Sequence, residues 1–213
     1  MRVFITGGSS GIGRCVNHHL LAKQYLVDAP SRAELDLRDC NLDAWDFATY
    51  DIAILCAGID ANGRQPLVSQ TGQDVRETLQ VNLVANMLII QKFLQQRINH
   101  PWSKIVVIGS NIVNHVHPNF VAYGTSKIAI AVFVDAVRRE LQQCYPNNNI
   151  GLTLINPGLT KTNFHINRGN VPVEHRDVLY DTMPHILTQD LLPVLDMVLA
   201  DQRHLVKHIE ISS

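Results

Sequence analysis

The segment Tyr123-Gly124-Thr125-Ser126-Lys127 sets a phenol and an ammonium four residues apart, and a hydroxyl, Ser110, stands thirteen residues before the phenol. A tyrosine hydroxyl ionises near pH 10. To exchange protons near neutrality it needs about 4 kcal/mol of extra preference for the phenolate. Four residues of helix rise about 6 Å and return to the same face, so the Lys127 ammonium can supply that preference. Ser110, read at the carboxyl end of a strand, can hydrogen-bond a substrate oxygen and hold it beside the tyrosine. Taken singly, each residue has a plainer reading. A Tyr–Lys pair on a helix is usually a surface pair, and a Ser after a strand is usually a turn residue. The proton-transfer reading rests on their combination with a second motif.

That motif is at the start of the chain. The apolar run Arg2 to Thr6 passes straight into Thr6-Gly7-Gly8-Ser9-Ser10-Gly11-Ile12-Gly13, where a helix begins. The glycines permit a tight turn and let the backbone approach a pyrophosphate. The helix N-terminus offers unpaired N–H groups and a partial positive charge to that anion. A glycine-rich turn is a weak signal alone, but this one occupies the first strand–helix junction, where the mechanism requires it.

The spacing is TGxxxGxG rather than GxGxxG, and here the sequence resembles the classical short-chain dehydrogenase/reductase family. Cys56-Ala57-Gly58 is similar to that family's NAG segment, with cysteine in place of asparagine. Asn82 stands in a long helix where the family has its catalytic Asn. Ser110 and the YxxxK of Tyr123 and Lys127 keep the family's spacing. Asn156-Pro157-Gly158 with Thr162 resembles its PGxxxT segment. The match runs in order over nearly the whole chain.

The resemblance implies an oxidoreductase that passes a hydride between a nicotinamide cofactor and a small carbonyl or alcohol substrate, with Tyr123 as general acid/base. It implies Asn82, Ser110, Tyr123 and Lys127 as the catalytic set. Lys127 would also bind the nicotinamide ribose, and Asn82 would help carry a proton relay through water. The cofactor would lie along Gly7, Ser9, Ser10, Gly11, Ile12 and Gly13, then Cys56, Ala57 and Gly58, then Tyr123 and Lys127, and finally Pro157, Gly158, Thr160 and Thr162. Assembly as a homodimer or homotetramer through the two long helices is implied as well. An alternative is a non-catalytic NAD(P)-sensing or protein-binding member of the same fold. The intact Ser110–Tyr123–Lys127 set speaks against it, because a sensor has no need of that set.

The choice between cofactors falls on the end of the second strand. A carboxylate there would accept a ribose 2′-hydroxyl, and a basic residue would suit a 2′-phosphate. Ser31 occupies the acidic position and Arg32 follows it, while Asp28 comes earlier, inside the strand. Ser31, Arg32 and the Ser9 hydroxyl could form a phosphate pocket. The pattern favours NADP(H) and leaves NAD(H) open. Asp36-Leu37 resembles the family's Asp-Val pair against the adenine ring.

Short strands alternating with longer helices must position these groups. Strands are expected at Arg2–Thr6, Leu26–Ala29, Glu34–Leu37, Asp51–Cys56, Lys104–Gly109, Ile150–Ile155 and Lys207–Ile211. Helices are expected at Gly11–Gln24, Gln73–Ile98, Val121–Cys144 and Leu191–Ala200. The central strands are continuous Val/Ile/Leu runs, as in a parallel sheet covered on both faces. The fold class is therefore α/β, a Rossmann-type doubly wound parallel sheet in a three-layer α/β/α arrangement, and 213 residues suit one domain. A substrate loop falls at about residues 159–187, where loops commonly carry substrate contacts.

Composition excludes other classes. Charged residues make up 17% and the net charge is −1, so neither nucleic acid nor a membrane surface is an expected partner. No run reaches the roughly 18 apolar residues of a membrane span. The first apolar run stops at Thr6-Gly7-Gly8, too early for a secretory signal. Four cysteines without CxxC spacing read as reduced thiols in a cytoplasmic protein. His115 and His117 could face one way on an extended segment, but no third ligand stands nearby, and no metal site is expected.

Overall fold

The computed structural model describes residues 1–61, 63, 65–114, 117–164, 178–202, 204 and 206–212. Six parallel strands form the main sheet: β1 (Arg2–Thr6), β2 (Leu26–Asp28), β3 (Ile52–Leu55), β4 (Ser103–Ile108), β5 (Ile150–Pro157) and β8 (His208–Ile211). Their order is β2-β1-β3-β4-β5-β8. Every residue of β3, β4 and β5 is buried, while the outer strands β2 and β8 are partly exposed. That contrast explains the sequence pattern. Central strands packed on both faces are apolar throughout, and edge strands are not. A two-residue pair, β6 (Thr160–Lys161) with β7 (Ile186–Leu187), lies apart from the main sheet.

Helices cover both faces. One core cluster joins Phe4, Phe47, Ile89, Phe93 and Val134, with Phe47 edge-on to Phe4 at 5.0 Å and to Phe93 at 6.1 Å. The other joins Ile5, Val16, Leu20, Leu195 and Val198 across the opposite face. The helices are α1 (Gly11–Ala22), α2 (Gly72–Leu79), α3 (Ala85–Arg97), α4 (Val121–Cys144), α5 (Val178–Thr182) and α6 (Leu192–Ala200). α4 has the bounds expected from the sequence. The long helix expected at Gln73–Ile98 is α2 and α3, joined by a π-helical turn at Gln80–Val84. Its start is fixed by a capping box between Thr71 and Asp74.

One expected strand is absent. Glu34–Leu37 forms turns, and the strand beside β1 on its inner side is β3. A parallel crossover needs a dozen or more residues, and too few separate this segment from β2. Local hydrogen bonds hold the chain back instead. Glu34 Oε2 accepts from Ser31 N at 2.7 Å, and Asp36 Oδ1 accepts from Arg38 N at 3.0 Å. Leu35 is buried in the core from this turn. His115 and residues 165–177 of the expected substrate loop lie outside the described residues.

Candidate active site

The carboxyl ends of β1, β3, β4 and β5 open on one cavity of about 800 Å³. This is where ligands bind in open α/β sheets, and the volume suits a cofactor-sized molecule. One end is the glycine turn. Gly7 and Gly11 have φ of +71° and +50°, a left-handed conformation that glycine adopts without strain. A Cβ on Gly13 would overlap the Gly7 carbonyl oxygen, and one on Gly7 would lie 2.9 Å from Ala57 N and Cα. These glycines therefore let α1 close down on β1 and on the exit of β3. Thr6 Oγ1 adds a hydrogen bond from Ala57 N at 3.2 Å. Ser9, Ser10, Gly11 and Ile12 line the cavity. No side chain caps the start of α1, and its first turn carries no acid. Those backbone donors fit a pyrophosphate.

Tyr123, Lys127 and Ser110 line the same cavity. Tyr123 lies in the first turn of α4, with ring centres of Phe120 and Phe164 at 6.1 and 5.6 Å. Lys127 Nζ is 5.8 Å from the Tyr123 ring centre and donates to the Ile108 carbonyl at 3.1 Å. The lysine is buried, and burial pushes its ammonium down to about 8. Beside it the Cys56 thiol is pushed up to about 12, again by burial, so this cysteine is a neutral neighbour near pH 7. Ser110 donates its backbone N–H to Asn156 Oδ1 at 3.1 Å, and its Oγ accepts from Ile112 N at 3.3 Å. Ser110 itself lines the cavity wall.

Asn82 is fully buried in the π turn. Its Oδ1 accepts from Ile59 N at 2.7 Å, and its Nδ2 donates to the Ile59 carbonyl at 2.7 Å and to Ser126 Oγ at 3.0 Å. It thus ties the exit of β3 to α4. Asn82 Oδ1 and Lys127 Nζ both lie 3.5 Å from where a Cβ would stand on Gly58, so they flank one point on the cavity wall.

The sequence-expected residues Gly7, Ser9, Ser10, Gly11, Ile12, Gly13, Cys56, Ala57, Gly58, Ser110, Tyr123, Lys127, Pro157, Gly158, Thr160 and Thr162 all line this cavity. Arg32 does so too. Ser31, Asp36 and Leu37 do not. Asp36 pairs with Arg32 at 3.2 Å, and Leu37 packs against the core. Sequence reasoning missed Arg38, which lines the cavity as Arg32 does and pairs with Glu77 of α2 at 3.3 Å. The only sequence signal was a second arginine after Asp36-Leu37. It also missed Tyr180, whose hydroxyl accepts from Thr162 N at 3.2 Å and lies 3.3 Å from the Thr160 carbonyl. Among the described residues no group of His, Cys, Asp and Glu could hold a metal ion, and no helix is long and apolar enough to cross a membrane.

A family model for short chain dehydrogenase matches residues 44–170. VdlC of Helicobacter pylori, named as a short-chain type dehydrogenase/reductase, is 31% identical over 75% of this chain and 65% of its own length. The NADPH-dependent 3-dehydrocapnine reductase of Ornithobacterium rhinotracheale is 27% identical over 74% of this chain and 65% of its own. The chain therefore spans slightly less than two thirds of each of these relatives. A solved serine dehydrogenase in its closed form with NADP+ superposes with a TM-score of 0.86 at 19% identity, covering 100% of this chain and 95% of that one. By the family match, the VdlC identity and the shared fold, the chain belongs to the short-chain dehydrogenase/reductase family.

Proposed function

We propose that this protein moves a hydride between a nicotinamide cofactor and a carbonyl or alcohol substrate, with Tyr123 giving or taking the proton. The observation that carries the reading is a single cavity joining the glycine turn to Tyr123, with Ser110 and Lys127 on its wall. In the reducing direction Ser110 Oγ donates a hydrogen bond to the substrate oxygen and holds it by the phenol. Tyr123 delivers its proton to that oxygen, and the Lys127 ammonium favours the phenolate left behind. Lys127 would also hold the nicotinamide ribose, beside the wall at Gly58 that Asn82 supports. Gly7 to Gly13 would hold the pyrophosphate, and Gly58, Pro157, Gly158, Thr160 and Thr162 the nicotinamide side. When bound, the cofactor supplies or accepts the hydride.

NADP(H) is the favoured cofactor. Two arginines, Arg32 and Arg38, line the same cavity as the glycine turn, and their guanidinium groups suit a 2′-phosphate. Four free thiols fit a reducing compartment such as the cytoplasm. The test is fluorescence titration with NADPH and NADH beside turnover on a panel of aldehydes and ketones. NADPH is expected to bind more tightly, and at least one carbonyl to be reduced. Clearly tighter NADH would reject the preference. Binding with no turnover would favour the sensing role.

A further inference from the structure

One side chain holds Ser110 where it leaves β4. The Ser110 backbone N–H donates to Oδ1 of Asn156, which is completely buried on β5. Gly109 makes room for this, because a Cβ there would overlap Asn156 Oδ1. A side-chain amide has one acceptor oxygen and one donor nitrogen, so committing Oδ1 to Ser110 turns Nδ2 the other way. Nδ2 lies 2.9 Å from Nε2 of His208 on the edge strand β8. Two donors cannot share that line. Nε2 therefore faces the amide with its lone pair in this arrangement.

Other charged groups stand near the same imidazole. Glu210, two residues along β8, has Oε1 3.8 Å from Nε2 and is held there by Asn114 Nδ2 at 2.8 Å. Arg138 of α4 is committed to the carbonyls of Leu152 and Lys207. Lys207 itself is exposed.

We propose that Asn156 is the positioning residue for Ser110, and that His208 sets which way Asn156 faces. Protonation places a hydrogen on Nε2, opposite the amide NH₂, and directs the ring towards Glu210. Asn156 regains a partner on that side only by turning its oxygen to His208, and this takes the oxygen away from the Ser110 N–H. Ser110 is then no longer fixed on the cavity wall that Tyr123 shares. The catalytic consequence rests on Ser110 acting on substrate as proposed above. The amide clamp itself does not.

The test starts with ¹⁵N-labelled protein without cofactor. The Ser110 backbone amide, the Asn156 side-chain amide and the His208 ring are followed from about pH 5 to about pH 8. Both amides are expected to shift with the His208 midpoint. In His208→Gln, whose side-chain oxygen can accept at every pH, they should stay flat. In His208→Lys, a permanent donor, they should sit at the low-pH position throughout. In turnover, kcat of the natural sequence should fall about tenfold on the acid side with that same midpoint. His208→Gln should keep the plateau, and His208→Lys should start about tenfold low at every pH. Cofactor affinity should change less than about twofold in both variants. Position 208 is on the exposed edge of the sheet, so both variants should fold. Amides that ignore His208, or a titration that survives in His208→Gln, would overturn the proposal. If the amides titrate as expected but no carbonyl turns over, the clamp stands and the reading of Ser110 as a substrate ligand fails.

Discussion

Lys127 is an unusual residue to bury. A lysine enclosed by protein costs stability while it is charged, and the same burial holds its ammonium down to about 8. Compared with its ordinary value of about 10.4, the difference amounts to about 3 kcal/mol at neutral pH. The sign follows. Between about pH 8 and the free-lysine value the unfolded chain binds the proton more tightly than the folded one, so this residue makes stability rise with pH across that window. Lys127→Met should therefore unfold at higher denaturant than the natural sequence at pH 7. The gap should close as pH rises through 8 to 10, while turnover is nearly lost. A variant less stable at every pH would mean that the ammonium is a structural asset. Tyr123→Phe asks the companion question. It should bind cofactor normally and lose 10²-fold or more, on the order of a general acid's contribution; retention of most of the rate would end the acid/base assignment. Tyr123, Lys127 and Ser110 were legible in the sequence because helical geometry fixes a four-residue spacing and strand ends attract active groups. The contacts of Arg38 and Asn156 could not be read that way. Their places depend on which carboxylate and which strand end come to face them, and that is decided by packing.

At the scale of elements, two glycines show how differently the same residue type is used. Gly13 lies where a Cβ would overlap the Gly7 carbonyl oxygen, a backbone atom that cannot move without opening the turn. Gly13→Ala should weaken cofactor binding at least tenfold and lower stability by about 1–3 kcal/mol, the cost of overpacking. Gly124, in the first turn of α4, has only Ile112 Cδ1 at 3.9 Å from the position of an added Cβ. Gly124→Ala should raise stability by about 0.5–1 kcal/mol, since alanine is the better helix former and loses less entropy on folding. Thermal unfolding of both variants would decide. Equal losses would mean that crowding at Gly13 is not what governs the turn. The helix bounds at α4 could be read because apolar periodicity runs unbroken to Tyr145-Pro146. The π turn around Asn82 could not, since it adds one residue to a helix without changing its composition. Asn86 takes up the Asn82 carbonyl there at 2.8 Å, a tertiary adjustment with no sequence period. The rejected strand at Glu34–Leu37 failed for a similar reason. Its local pattern was acceptable, but its distance along the chain from β2 was not.

For the whole molecule, the family resemblance implies assembly through the long helices, and the surface gives that expectation a definite form. Val84 and Leu88 are exposed four residues apart on the α2–α3 rod, and Ile128 and Val132 are exposed four residues apart on α4. Val132 is 65% exposed. Apolar side chains repeated at helical spacing on two neighbouring helices are a contact surface more often than a solvated one. A twofold dimer would place the same patch on both subunits, so one substitution acts twice across the axis. Light scattering at micromolar concentration should therefore find a dimer or tetramer. Val132→Asp should shift it to monomers, because each interface would bury two carboxylates without partners. The change should leave the thermal unfolding of the monomer within about 0.5 kcal/mol, as expected of an exposed site. A natural sequence that is monomeric at that concentration would refute assembly by this face. An assembly that survives Val132→Asp intact would move the interface elsewhere. Tyr123 lies in the first turn of the same helix, nine residues before Val132, so loss of assembly should also show whether a partner subunit steadies that turn. If it does, kcat of the monomeric variant should fall while its cofactor affinity, set at the glycine turn, holds.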